Sequence, residues 1–165
     1  MNTRMSGARG FTLIEVLIAI LITAIGVLGI AGLQAYTLKS THGSNLRSVA
    51  TRQAYEITDS MRANKTALDL GNYNNQQGTQ VNSCYQSVGC TALQMAQMDV
   101  WLWNEANAAL LPAGKGFVCS DSTPNDGLPT APACDNAPNA PYVVKIWWDE
   151  REGGALQRFI FTFRP

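Results

Sequence analysis

Apolar and polar residues are arranged along this chain in several distinct patterns. From Phe11 to Leu38 the sequence is almost continuously apolar, and Glu15 is its only charged residue. The uncharged stretch Val16 to Leu33 is 18 residues long. As a helix it would span about 27 Å, close to the hydrocarbon thickness of a bilayer. From Gln34 to about Ala63 the pattern turns amphipathic. Leu46, Val49, Ala50, Ala54, Ile57 and Met61 recur every three to four positions, and Arg47, Arg52, Glu56, Asp59 and Arg62 mostly fall at the other positions. One long helix over 12–63 is predicted, with "STHGSN" at 40–45 a weak point where it could bend.

The Asn/Gln/Gly-rich segment "DLGNYNNQQGTQVNSCYQSVGC" reads as a loop. A second helix is predicted over "TALQMAQMDVWLWNEANAALL", with Thr91 as N-cap and Pro112 marking its end. Leu93, Ala96, Val100, Trp103 and Leu110 share a face there, and Trp101 and Trp103 read as packing groups rather than a ligand site. "GKGFVC" is a short strand candidate, and a loop dense in Pro, Asn and Asp follows it. "YVVKIWWD" and "LQRFIFTFRP", separated by "EREGG", predict an antiparallel hairpin. Phe159, Phe161 and Phe163 alternate with Arg158, Ile160, Thr162 and Arg164, giving one aromatic face expected to pack on the long helix. Trp147 and Trp148 must point to opposite sides, so one is an expected exposed contact for a partner unless a loop covers it. The fold class expected is α+β.

Charge and cysteine usage narrow the function. Lys and Arg together number 12, Asp and Glu 12, and there is one histidine, His42, in the 165 residues. A balanced chain argues against a nucleic-acid-binding domain. The arginines of 47–62 are interspersed with acids and read as a solvated face. All four cysteines, Cys84, Cys90, Cys119 and Cys134, follow the apolar run. An even set in that position points to disulfides in an oxidising compartment, and places the chain after about residue 35 outside the cytoplasm. The spacings do not match zinc knuckles, and His42 is distant. Three connectivities are open; the shortest loops pair Cys84 with Cys90 and Cys119 with Cys134. Asp121, Asn125 and Asp126 before Gly127 resemble a calcium loop only faintly, and turn chemistry accounts for them as well. No nucleophile–base pair, metal cluster or phosphate loop points to an enzyme, and no cofactor is expected.

The amino terminus is the informative region. "MNTRMSGARG" carries Arg4 and Arg9 and no acid. A basic head before an apolar run resembles a secretory signal, but this run is longer than a signal core and lacks a good cleavage site. An uncleaved anchor accounts for it better and leaves Glu15 unexplained. A carboxylate inside such a run costs up to about 2.5–3.5 kcal/mol near a bilayer centre, and less near an interface. No Lys, Arg or His lies within helical reach inside the run. A cut between Gly10 and Phe11 would create one cation, the new amine of Phe11, and would leave Glu15 in the first helical turn, where the helix dipole favours an anion.

"RGFTLIEV" resembles the class III leader junction of type IV prepilins and type II secretion pseudopilins. The resemblance implies a prepilin leader, 1–10, removed by prepilin peptidase between Gly10 and Phe11. It implies N-methylation of Phe11, and an assembly role for Glu15, paired with the Phe11 amine of a neighbouring subunit. It further implies a transmembrane and filament-core helix, 11–35, and a periplasmic pilin domain, 36–165, that includes the second half of the helical spine. "LPAGKGFVC", "YVVKIWW" and "FTFRP" extend the similarity toward the PilV-type minor pilins of type IVa pili. Its implied partners are other minor pilins, the major pilin and a tip adhesin, with the inner membrane as the first location and the pilus, near its tip, as the second. The alternatives are a minor pseudopilin of type II secretion and an adhesive or DNA-uptake pilin. Major pilins often have a proline in the apolar helix; here none precedes Pro112, so a proline-melted segment is not expected. Gly26, Gly29 and Gly32 either allow close helix approach or are simply tolerated.

Overall fold

A computed structural model describes residues 10–150 and 155–164. The leader residues 1–9, with Arg4 and Arg9, lie outside the described residues, as do 151–154 and Pro165. The elements are α1 (Leu13–Ala63), α2 (Lys65–Asp69), a 3-10 turn (Asn82–Tyr85), α3 (Ala92–Leu110), β1 (Lys115–Ser120), β2 (Tyr142–Asp149) and β3 (Leu156–Phe163). The strands form an antiparallel sheet in the order β1-β2-β3. A long helix with a small antiparallel sheet is the expected α+β pilin architecture. The helix runs unbroken through 40–45. The chain nevertheless separates into two units, one reaching to His42 and one starting at Gly43.

In the first unit α1 is exposed on all sides, and its most apolar 18-residue window has a mean hydropathy of 2.8. The threonine hydroxyls at 23 and 37 are satisfied within the helix. Thr23 Oγ1 donates to the Ala19 carbonyl at 2.9 Å and Thr37 Oγ1 to that of Leu33 at 2.9 Å. Such bonds let a hydroxyl enter an apolar medium without an orphaned donor.

In the second unit the apolar stripe of α1 is inside. Leu46, Ala50, Ala54, Ile57 and Met61 are buried together with Val100, Trp103, Val118, Val144, Ile146 and Trp148. Ala50 and Ala54 are small enough to let neighbouring elements approach the helix closely. Trp103 crosses to α1 and donates its indole N–H to the Gln53 carbonyl at 2.8 Å. The aromatic face of β3 meets α1 as the alternation requires. Phe161 lies 5.0 Å from Tyr55 between ring centres, and the Arg62 guanidinium is 5.9 Å from the centre of the Phe163 ring.

Helix α3 begins with a full capping box. Thr91 Oγ1 accepts from Gln94 N–H at 3.3 Å, and Gln94 Oε1 accepts from Thr91 N–H at 2.9 Å. Its buried stripe is narrower than the sequence implied: Ala96, Val100, Trp103 and Asn107 are inside, whereas Leu93 and Leu110 are exposed. Both leucines sit in the end turns of the helix, and Leu111, just past it, is buried instead. Gly116 of β1 is required by this packing, since a Cβ there would run into the Trp103 ring.

Two further expectations are corrected. The Asn-rich segment is not wholly loop. It begins at Asp69, the last residue of α2, includes the 3-10 turn and buries Tyr73 completely. Gly78 holds it against α3 with φ +77°, and a Cβ there would stand 2.6 Å from the Trp101 nitrogen. Neither Trp147 nor Trp148 is a partner contact; each is 2 % exposed. Trp148 shares the core face of β2 with Val144 and Ile146. Trp147 shares the opposite face with Val143 and Lys145, on which the loop 121–140 lies.

Candidate functional site

The amino-terminal motif is presented openly. Thr12 precedes the first helical residue, Leu13, and its Oγ1 accepts from the Glu15 N–H at 3.4 Å. Glu15 therefore stands in the first turn of α1, where backbone N–H groups favour a carboxylate. Phe11 is 81 % exposed, and Gly10 and Glu15 are exposed too. Phe11, Glu15, Val16, Ala19, Ile20 and Thr23 line one face of the helix. Among the described residues no cation pairs with Glu15. Cβ atoms added at Gly26, Gly29 or Gly32 would meet nothing within 4 Å, so any packing they permit is with another molecule.

The second charged feature lies in the sheet and was not anticipated. Lys145, in the middle of β2, is completely buried, as is Asp121. Lys145 Nζ is 2.6 Å from Asp121 Oδ2 and 3.0 Å from Asp126 Oδ1, and it donates to the Pro132 carbonyl at 2.8 Å. Its hydrogen bond holds the Asp126 carboxyl below the usual carboxylate range. Asp121 Oδ1 in turn accepts from Thr123 N–H at 3.0 Å. The faint calcium loop thus has a different occupant: the carboxylates at 121 and 126 converge on a lysine of the same chain. The only sequence signal is the charge interrupting "YVVKIWW".

The cysteines border these features. Cys119 and Cys134 are paired at a Cα separation of 6.1 Å, at the two ends of the segment that supplies Asp121, Asp126 and Pro132. Cys84 and Cys90 are paired at 4.9 Å in the Asn-rich segment. Cys119, Asp121 and Cys134 approach one another closely, but both thiols are committed to the pair and the carboxylate to Lys145, so the donor set suits no metal. Elsewhere the Tyr73 hydroxyl donates to Asp99, and burial raises the pKa of both groups. His42 is exposed and forms no cluster with other described ligand residues.

An exposed apolar helix opened by Gly-Phe and carrying an acid in its first turn, ahead of a small sheet domain, defines a membrane-anchored subunit of the prepilin kind. Residues 5–31 match the family described as the prokaryotic N-terminal methylation motif. Residues 32–101 match the family described as type IV pilin Tt1218. The two matches adjoin, and the chain belongs to the type IV pilins, which are structural subunits rather than enzymes. No curated protein and no solved structure matches it.

Proposed function

We propose that this pilin is a minor pilin of the PilV type, which helps to prime type IV pilus assembly in a tip complex with other minor pilins and an adhesin. In this reading prepilin peptidase cuts between Gly10 and Phe11 and the Phe11 amine is methylated. The helix over 11–35 anchors the chain in the inner membrane, and residues 36–165 lie in the periplasm, braced by the disulfides Cys84–Cys90 and Cys119–Cys134. The observation that carries the reading is "RGFTLIEV" at the start of an apolar helix with no internal partner for Glu15 among the described residues. A carboxylate and an amine are each costly in lipid and become tolerable as a pair. A pair formed between subunits therefore favours adding the next subunit in register. Nothing in this role requires catalysis, a cofactor or nucleic acid.

Mass spectrometry of pili sheared from cells tests it. The expected result is a peptide starting at Phe11 with one added methyl group. A processed peptide confined to membranes would favour a pseudopilin of type II secretion or an initiator that remains behind. Only peptides spanning Gly10–Phe11, in every fraction, would overturn the reading.

A further inference from the structure

The two edges of the sheet are treated differently. On β1 four of the six outward backbone groups of Gly116, Val118 and Ser120 are occupied. Gly116 N–H donates to Asn104 Oδ1 at 2.9 Å and Ser120 N–H to Asn74 Oδ1 at 2.8 Å. The Val118 and Ser120 carbonyls accept from the N–H groups of Asn75 and Asn136, each at 3.1 Å. Four asparagines therefore block most of this edge. Since Gly116, Val118 and Ser120 face outward, Lys115, Phe117 and Cys119 pair with β2 through Trp147, Lys145 and Val143. The alternate residues of β2 then pair with Gln157, Phe159, Phe161 and Phe163. Arg158, Ile160 and Thr162 are left with outward N–H and C=O groups, and no described residue bonds to them. An open row of this kind is a template for another strand.

The surroundings of that row select its occupant. Phe159 and Phe161 are half-buried beside it, and Tyr55, which packs on Phe161, is half-exposed. They form an apolar shelf on the α1 side. Arg47, Asn125, Arg158, Phe159 and Ile160 line a shallow pocket of about 420 Å³ at the edge. Neither arginine has an ion-pair partner among the described residues. Arg158 donates only to neutral carbonyls, those of Asn125 at 2.7 Å and Gly127 at 3.3 Å, which leaves its charge unmatched and further donors available. β3 carries no acid of its own.

We propose that the edge of β3 receives an extended, acid-bearing strand of a partner subunit. That strand pairs with the backbone of Arg158, Ile160 and Thr162, lays apolar side chains on the Phe159–Phe161–Tyr55 shelf, and seats a carboxylate between Arg47 and Arg158. Main-chain pairing supplies the affinity and the two arginines the choice of partner. The inference deepens the pilin reading only in calling the partner a subunit; the open edge is independent of it.

Photocrosslinking in whole cells tests it, with Ile160 or Thr162 of the full chain replaced by p-benzoylphenylalanine and the pilus and membrane fractions analysed separately. The expected result is crosslinks from the two sites to one partner segment, at positions two residues apart and close to an Asp or Glu. Ile160→Pro removes one outward donor without touching the β2 ladder and should cut the yield from position 162 about tenfold. Arg47→Glu, an exposed change on α1, should lower it comparably with the fold intact by circular dichroism. Crosslinks to a helix, to scattered sites, to nothing, or to β3 of a second copy would each overturn the proposal. A strand crosslink in a chain that never enters pili would sink the pilus reading and leave the edge standing. A chain present in pili with a silent edge would do the reverse.

Discussion

Glu15 and Lys145 are each a single charge in an apolar stretch, and the chain deals with them in opposite ways. Lys145 is enclosed by its own chain: Asp121, Asp126 and the Pro132 carbonyl, all from one loop, surround its ammonium and leave none of it in contact with solvent. Glu15 stands exposed on a helix with no cation near it among the described residues. A charge completed within the fold holds that fold in one arrangement. A charge left incomplete at a membrane helix start has to be completed by something else, and in the function proposed here that group is the amine of a processed neighbour. The first is therefore read out in stability and the second in assembly.

That contrast can be broken experimentally, and the largest effect is expected at Glu15. Glu15→Leu should all but abolish incorporation into sheared pili, measured by immunoblot, and leave the thermal melt of the purified full chain in detergent unchanged. A clear fall in melting temperature would place Glu15 with Lys145 and undo the distinction. Lys145→Met should show the opposite pattern. Removing one partner leaves Asp121 buried and uncompensated, which costs about 3–5 kcal/mol in urea unfolding. Combining it with Asp121→Leu should recover most of that loss, because both charges then leave the interior together. If the double variant is no more stable than the single one, the pair is not the unit argued here.

The paired cysteines come next. Cys119→Ser with Cys134→Ser opens the loop that covers Lys145 and should cost about 3 kcal/mol. Cys84→Ser with Cys90→Ser opens a shorter loop, remote from Lys145, and should cost about 2 kcal/mol. Reversal of that order would show that the longer loop is held by Lys145 and Arg158 without its cross-link.

The smallest expected effect is on pH dependence. Asp126 has its pKa lowered in the folded state by the Lys145 hydrogen bond. Its contribution is complete above the ordinary carboxylate value of about 3.9 and is lost as pH falls from there through the lowered value. Asp99 is raised, chiefly by burial, so its sign is reversed. Folding favours its protonated form, and stability falls as pH climbs from the ordinary value through the raised one. Melting temperatures between pH 2 and pH 7 should show Asp126→Asn flattening the acid-side loss and Asp99→Asn flattening the decline on the other side. A parallel shift of the whole curve by either variant would contradict this assignment.

How much was legible in the sequence depended on the range of the interactions involved. The prepilin junction, the long helix, the Thr91 cap and the β2–β3 hairpin depend on residues close together in the chain, and periodicity or a short motif reveals them. The half-stripe of α1 from Leu46 to Met61 is of this kind: helical geometry alone brings those residues to one side. Trp147 shows where this stops. Alternation correctly put it opposite Trp148, but whether that side met solvent depended on where a loop 20 residues long settled. Leu110 shows the same from the other direction, apolar and in phase yet uncovered because the helix ends there.

By itself the sequence determined the class of protein, the spine, the strands and the position of Glu15 at the start of the apolar run, because each is written in neighbouring residues. Tertiary structure alone decided that Lys145 would be neutralised by residues 19 and 24 positions upstream. It also decided that Tyr73 would be buried, and that one sheet edge would be largely blocked by asparagines while the other stayed open. Those outcomes depend on which distant surfaces come within a few ångströms of each other. A pattern read along one dimension contains no such distances.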